Sequence, residues 1–244
     1  MKENNEIETN LHTENLQTKP NVDSNTDENT SEWSYRSFGN LKNPNKIFLL
    51  LHGLSMTHDD MIELGLIFNE RYKDAAFISL NGFEQFEYGA YGRQWFSLSD
   101  RSEAVIQKHA NKSFIMLEKF LNYICNKFGL SLKDVILIGF SQGGMLSSYA
   151  GMMLKLGGVI GFASCLVYPK EIESTDTPMC FVHGENDEII DVSLFKKTIM
   201  AANYYLKQNS VKTLITPNLK HAVCFDGIKF AFEFLDNNFK IDSL

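Results

Sequence analysis

The segment Asp134–Gly144, DVILIGFSQGG, constrains this chain more than any other. DVILIGF is apolar and rich in β-branched residues, which predicts a strand buried on both faces. It runs directly into Ser-Gln-Gly-Gly and then into a helical pattern over Gly143–Leu156. A strand that turns this abruptly into a helix needs small residues at the corner. The unit fits a parallel sheet whose strands are joined by helical crossovers.

The rest of the chain repeats that unit. Short apolar runs at Lys46–Leu51, Ala75–Leu80, Val159–Ala163, Met179–Val182 and Lys212–Thr216 predict five further strands. Between them, Ala104–Phe128, Leu194–Leu206 and Gly227–Leu235 carry apolar residues at helical spacing. The expected fold is α/β, a mainly parallel central sheet with helices on both faces. Ligands of such sheets bind at the carboxyl ends of the strands.

Composition changes at residue 33. Residues 1–32 hold no aromatic residue and are rich in Asn, Thr and Glu, so they bury too little to offset the entropy of ordering. They are expected to form a disordered acidic tail, with 33–244 as one globular domain. Residues 1–33 carry eight acids and two bases, leaving 22 acids and 21 bases on the remainder. A near-neutral body has no electrostatic footprint for nucleic acid. Cys125, Cys165, Cys180 and Cys224 show no metal-binding spacing and read as reduced thiols. With no apolar leader and no apolar run near the roughly 20 residues of a membrane span, the expectation is a cytoplasmic protein.

Gly139-Phe140-Ser141-Gln142-Gly143 has the strand–turn–helix context of the nucleophile elbow of the α/β-hydrolase fold. Its serine needs an imidazole to take its proton, and the imidazole needs a carboxylate to fix its tautomer. In that fold the order is serine, acid, histidine, each after a later strand. Asp187, in HGEND after the fifth strand, is the candidate acid, with Glu185, Glu188 and Asp191 as neighbouring competitors. His221, after the sixth strand, is the candidate base and the only histidine downstream of that acid. His183 reads as an interior structural residue, His52 as a shaper of its loop, and His58 and His109 as surface residues. His12 lies in the tail. The N–H of Gln142 is one candidate oxyanion donor; that of Leu54, in His52-Gly53-Leu54 after the first strand, is the other.

On these residues the chain resembles the phospholipase/carboxylesterase family, which includes the acyl-protein thioesterases. The matching pieces are LHG at 51–53, RQWF at 93–96, GFSQGG at 139–144, HGENDEI at 183–189 and HAV at 221–223. The resemblance implies Ser141 as nucleophile, Asp187 as acid, His221 as base, and Leu54 and Gln142 as oxyanion donors. Lys220 stands where the family usually has Gly, and Ile190-Asp191 where it often has Val-Pro.

The aromatic segment 82–101 reads either as the wall of an acyl groove, with Trp95 and Phe96 contacting substrate, or as a hydrophobic cluster beneath a loop. The expected activity is hydrolysis of carboxylic esters of short to medium acyl chain through an acyl-serine, with no cofactor and no metal. The substrate is then a small-molecule or lipid acyl ester, or an acylated protein. Thioesterase or lysophospholipase activity, a catalytically silent binding module and a peptidase are the alternatives.

Overall fold

The structure, a computed structural model, describes residues 23–25, 33–207 and 210–239. Ten strands and five α-helices are found among them. The strands of the main sheet are β1 (Asp23–Asn25), β2 (Tyr35–Gly39), β3 (Lys46–Leu51), β4 (Ala75–Leu80), β7 (Val135–Phe140), β8 (Gly158–Phe162), β9 (Met179–Gly184) and β10 (Val211–Thr216). A two-stranded ribbon, β5 (Glu84–Gln85) with β6 (Arg93–Gln94), lies apart from it. The helices are α1 (Ile62–Arg71), α2 (Glu103–Phe128), α3 (Gln142–Met153), α4 (Val192–Tyr205) and α5 (Phe225–Asn238).

The main sheet has the order β1-β2-β4-β3-β7-β8-β9-β10. From β4 to β10 every neighbouring pair is parallel; β1 and β2 add an antiparallel edge. Alternation along each strand divides the core in two. Ile47, Leu49 and Leu51 of β3 face α2, α3 and α4, whereas Phe48 and Leu50 face α1 and α5. The central strands are buried on both faces, which is why they read as continuous apolar runs.

All six expected strands form, with ends shifted by a residue or two. Of the elements that the sequence pattern does not predict, β1, β2, β5, β6 and α1, two show why. In β2, YRSFG, Arg36 interrupts the apolar pattern because the strand lies near an edge. In α1, Gly65 packs so closely on Leu50 and Phe38 that a Cβ would lie 2.6 Å from each, and a glycine mid-helix weakens the helical signal. The expected disorder of residues 1–32 lies outside the described residues, except that Asp23–Asn25 pair with β2. Ladder bonds are made by backbone alone, so this pairing needs no apolar side chain.

Candidate active site

Because β3, β7, β9 and β10 run parallel, the loops that follow them open on one edge of the sheet. Those loops hold Leu54, Ser141, Asp187 and His221 respectively.

Ser141 sits between β7 and α3 with φ 52° and ψ −116°, a conformation L-residues rarely adopt. Its N–H donates to the Phe162 carbonyl at 2.9 Å, and its own carbonyl accepts from Gly144 and Met145. Its hydroxyl does not cap the helix. A Cβ on Gly143 would collide with the Leu51 carbonyl, so only glycine lets the start of α3 approach β3 this closely. Ser141 itself is 8 % exposed.

Asp187 is 4 % exposed and fully engaged. Its Oδ1 accepts from the N–H groups of Ile189 and Ile190, both at 2.9 Å. Its Oδ2 accepts from His221 Nδ1 at 2.8 Å. Burial alone would raise the pKa of this carboxyl. The N–H of Ile190, the His221 ring and the N–H of Ile189 outweigh burial and hold it below the ordinary carboxylate value. A proton fixed on His221 Nδ1 leaves Nε2 free to act as a base. The His221 ring packs on Phe140, the residue before the serine, with centroids 5.1 Å apart. Among the described residues no hydrogen bond joins Ser141 to His221. Such contacts commonly tighten only when substrate is bound.

The competing carboxylates are placed elsewhere. Asp191 caps α4 by accepting from Ser193 N–H at 2.7 Å. Glu188 is exposed and lies 4.0 Å from Lys220, and Glu185 is exposed. His183 is interior, as expected: its ring stacks on Phe195, and its Nε2 lies 2.8 Å from the Ile190 carbonyl. His58 and His109 are half-buried rather than exposed. A 3-10 turn sets His58 against β4, and His109 Nδ1 lies 3.3 Å from the Ser97 carbonyl.

On the other side of Ser141, the N–H of Leu54 has no acceptor among the described residues. The N–H of Gln142, the first residue of α3, has none within its helix. An N–H without an acceptor can receive negative charge, and the positive end of α3 lies behind that of Gln142. Trp95 and Phe96 do not line a groove. They are 0 % and 1 % exposed, and lie beneath the loop that carries Leu54. The cluster-beneath-a-loop alternative is the one that matches this placement. The elbow motif points to the backbone of Gln142 alone, yet its side chain is the link to this pair. The Trp95 N–H donates to Gln142 Oε1 at 3.0 Å, and Gln142 Nε2 donates to the Phe96 carbonyl at 2.7 Å. A glutamine side chain gives no sign in sequence of which backbone it will bind.

Among the described residues no cluster of His, Cys, Asp or Glu could hold a metal ion. No helix there is long and apolar enough to cross a membrane. Cys125, Cys165, Cys180 and Cys224 are free thiols.

A family model described as phospholipase/carboxylesterase matches residues 40–239. Esterase YpfH of Escherichia coli is 28% identical over 193 residues, 78% of this chain and 82% of that protein. Acyl-protein thioesterase 1 homolog 2 of Dictyostelium discoideum is 36% identical over 106 residues, 39% of this chain and 46% of its own length. Among solved structures, that of esterase PE8 superposes with a TM-score of 0.77 at 26% identity, covering 85% of this chain and all of that one.

Proposed function

From the premise that this chain is a hydrolase of the phospholipase/carboxylesterase family with the α/β-hydrolase fold, we propose that it cleaves carboxylic acyl esters through an acyl-serine at Ser141. The observation that carries this reading is the 2.8 Å bond from His221 Nδ1 to Asp187 Oδ2, on the loops beside a strained Ser141. His221 Nε2 takes the Ser141 proton as Oγ attacks the substrate carbonyl carbon. The carbonyl oxygen becomes an oxyanion and is bound by the N–H groups of Leu54 and Gln142. When the intermediate collapses, the alcohol leaves with the proton held on His221. Water then repeats the sequence and releases the acid.

Asp187 stays ionised throughout and stabilises the imidazolium. The free thiols support a reducing compartment, hence the cytoplasm. An acyl-protein thioesterase is the second reading, favoured by the thioesterase relatives. Oxygen ester and thioester would pass through the same acyl-enzyme.

The test is a fluorophosphonate probe with Ser141→Ala, followed by a panel of ester and thioester substrates of increasing chain length. The wild type should take one label and the variant none, with kcat lower by about 10⁴- to 10⁶-fold. A wild type that takes no label would identify a silent binding module. Thioesters hydrolysed far faster than matched esters would favour the second reading.

A further inference from the structure

The Trp95 side chain is fully buried, yet each of its polar groups, and those of its peptide, is committed to a partner around the loop that carries Leu54. The indole Nε1–H donates to the His52 carbonyl at 2.8 Å. The peptide N–H donates to Gln142 Oε1, and the peptide carbonyl accepts from the Ser113 hydroxyl. The Gln142 amide orientation follows from its partners, because a peptide N–H must meet its oxygen and the Phe96 carbonyl must meet its nitrogen.

His52 extends the frame. The Gly82 N–H donates to Nε2 at 2.8 Å, so the ring proton lies on Nδ1, 2.7 Å from the Gly53 carbonyl. Gly82 can present that N–H only without a side chain, since a Cβ there would lie 2.5 Å from the Gln94 carbonyl. The His52 ring also packs on the Trp95 indole, with centroids 5.1 Å apart. One set of buried bonds thus runs from the peptide before Leu54, through Trp95, to the side chain of the residue whose N–H is the second donor.

We propose that Trp95 is a positioning residue of the oxyanion hole. Through its indole N–H on His52 and its peptide N–H on Gln142, it fixes the separation of the Leu54 and Gln142 N–H groups. This inference rests on the acyl-serine reading above and assigns a role to a side chain that never touches substrate. Donors fixed in advance stabilise charge without reorganising, and misplacement by about 1 Å can cost roughly 100-fold.

Trp95→Phe keeps an aromatic ring in the core and removes the bond to His52 together with one ring's volume. Gln142→Met keeps length and both donor N–H groups, and removes the two carboxamide bonds. Each should lower kcat by about 10- to 100-fold, leaving KM within about threefold. Affinity for an alkyl boronic acid, whose tetrahedral adduct places an oxygen in the hole, should fall in parallel with kcat across the variants. A general loss of packing would not reproduce that parallel.

If Trp95→Phe does not fold, Gln142→Met carries the test by the same readouts. A KM that rises with chain length while kcat holds would make Trp95 a groove residue and overturn the proposal. So would boronate affinity that stays constant while kcat falls. Those outcomes leave Ser141 labelling intact and the acyl-serine reading standing; a wild type that takes no label overturns both.

Discussion

The two sides of Ser141 are built in opposite ways. On the oxyanion side, His52, Trp95 and Gln142 are almost wholly excluded from solvent and share one connected set of hydrogen bonds. On the acid–base side Asp187 is buried with His183 and Ile190 beneath it, but the side chains above it are open. His221 keeps 18 % of its side chain exposed, and Ile189 on the acid's loop and Phe225 at the start of α5 are 63 % and 80 % exposed. The contrast fits the chemistry proposed for each side. Oxyanion donors act through fixed dipoles, so they gain from a rigid frame. A base must move a proton between the serine, a leaving group and water, so its ring needs room and access. The acid joins the two styles: its carboxylate is locked so that the imidazole above it need not be.

The largest test of this contrast lies in the locked acid. Asp187→Asn keeps the acceptor for the Ile189 and Ile190 N–H groups and presents its amide nitrogen to His221, which then holds the wrong tautomer. The expected loss of kcat is on the order of 10⁴-fold. Asp191→Asn should leave kcat unchanged, because Asn caps a helix nearly as well as Asp. Steady-state kinetics on the two variants decide between the carboxylates. If Asp191→Asn is the damaging change, the acid–base side is not organised around Asp187.

Much of this was legible in the sequence, and the reason differs by residue. Ser141 and Asp187 each follow a strand buried on both faces, β7 and β9, while His221 follows the half-exposed edge strand β10, where Val211, Leu214 and Ile215 still mark a strand; these runs located the loops, and the order of the fold assigned the candidate roles. The oxyanion frame was not legible. An aromatic-rich irregular segment such as 82–96 has the same composition whether it walls a groove or underlies a loop. What decides is where its N–H groups find partners, here Gln142 and His52, 47 and 43 residues away from Trp95 in the chain. β2 was missed for a related reason. β2 lies one strand in from the edge, between β1 and β4, and its pattern is only partly apolar: Arg36 is half-buried and pairs with Asp59.

A middle-sized effect concerns the buried frame and pH. Burial lowers the pKa of His52 from 6.5 to about 4, partly offset by its bond to the Gly53 carbonyl. The unfolded chain therefore binds a proton here that the folded chain does not, between roughly pH 6.5 and 4. Stability is full above that window and is lost as pH falls through it, by about 3 kcal/mol for this group at 1.36 kcal/mol per pH unit. His183 shifts the same way, chiefly through burial, so the wild type loses more than His52 alone accounts for. The depressed Asp187 carboxyl loses its contribution only at still lower pH. Melting temperature from pH 7 to 4 should therefore fall less steeply in His52→Gln, which starts from a lower value but can still accept from the Gly82 N–H. Parallel curves would mean that His52 is not held neutral by its surroundings, and the rigid side would lose its anchor.

The smallest expected effect lies on the open side. With Trp95 and Phe96 beneath the loop, the acyl chain of the proposed substrate needs another surface, and exposed apolar side chains stand next to the acid and the base in the chain at Ile189 and Phe225. A side chain that is mostly exposed contributes little to folding, so Ile189→Ser and Phe225→Ser should change stability by less than about 0.5 kcal/mol. Each methylene of an acyl chain that rests on apolar surface contributes at most about 0.8 kcal/mol, a factor of roughly four in kcat/KM. An open surface covers only one side of the chain, so a factor nearer two per methylene is expected. The double variant should flatten this slope across a series of esters while leaving the shortest ester almost unaffected. That result would place chain-length selectivity on the open side of the site and rate on the buried side. A slope that survives the double variant but is flattened by Trp95→Phe would reverse the division, with the buried frame governing both.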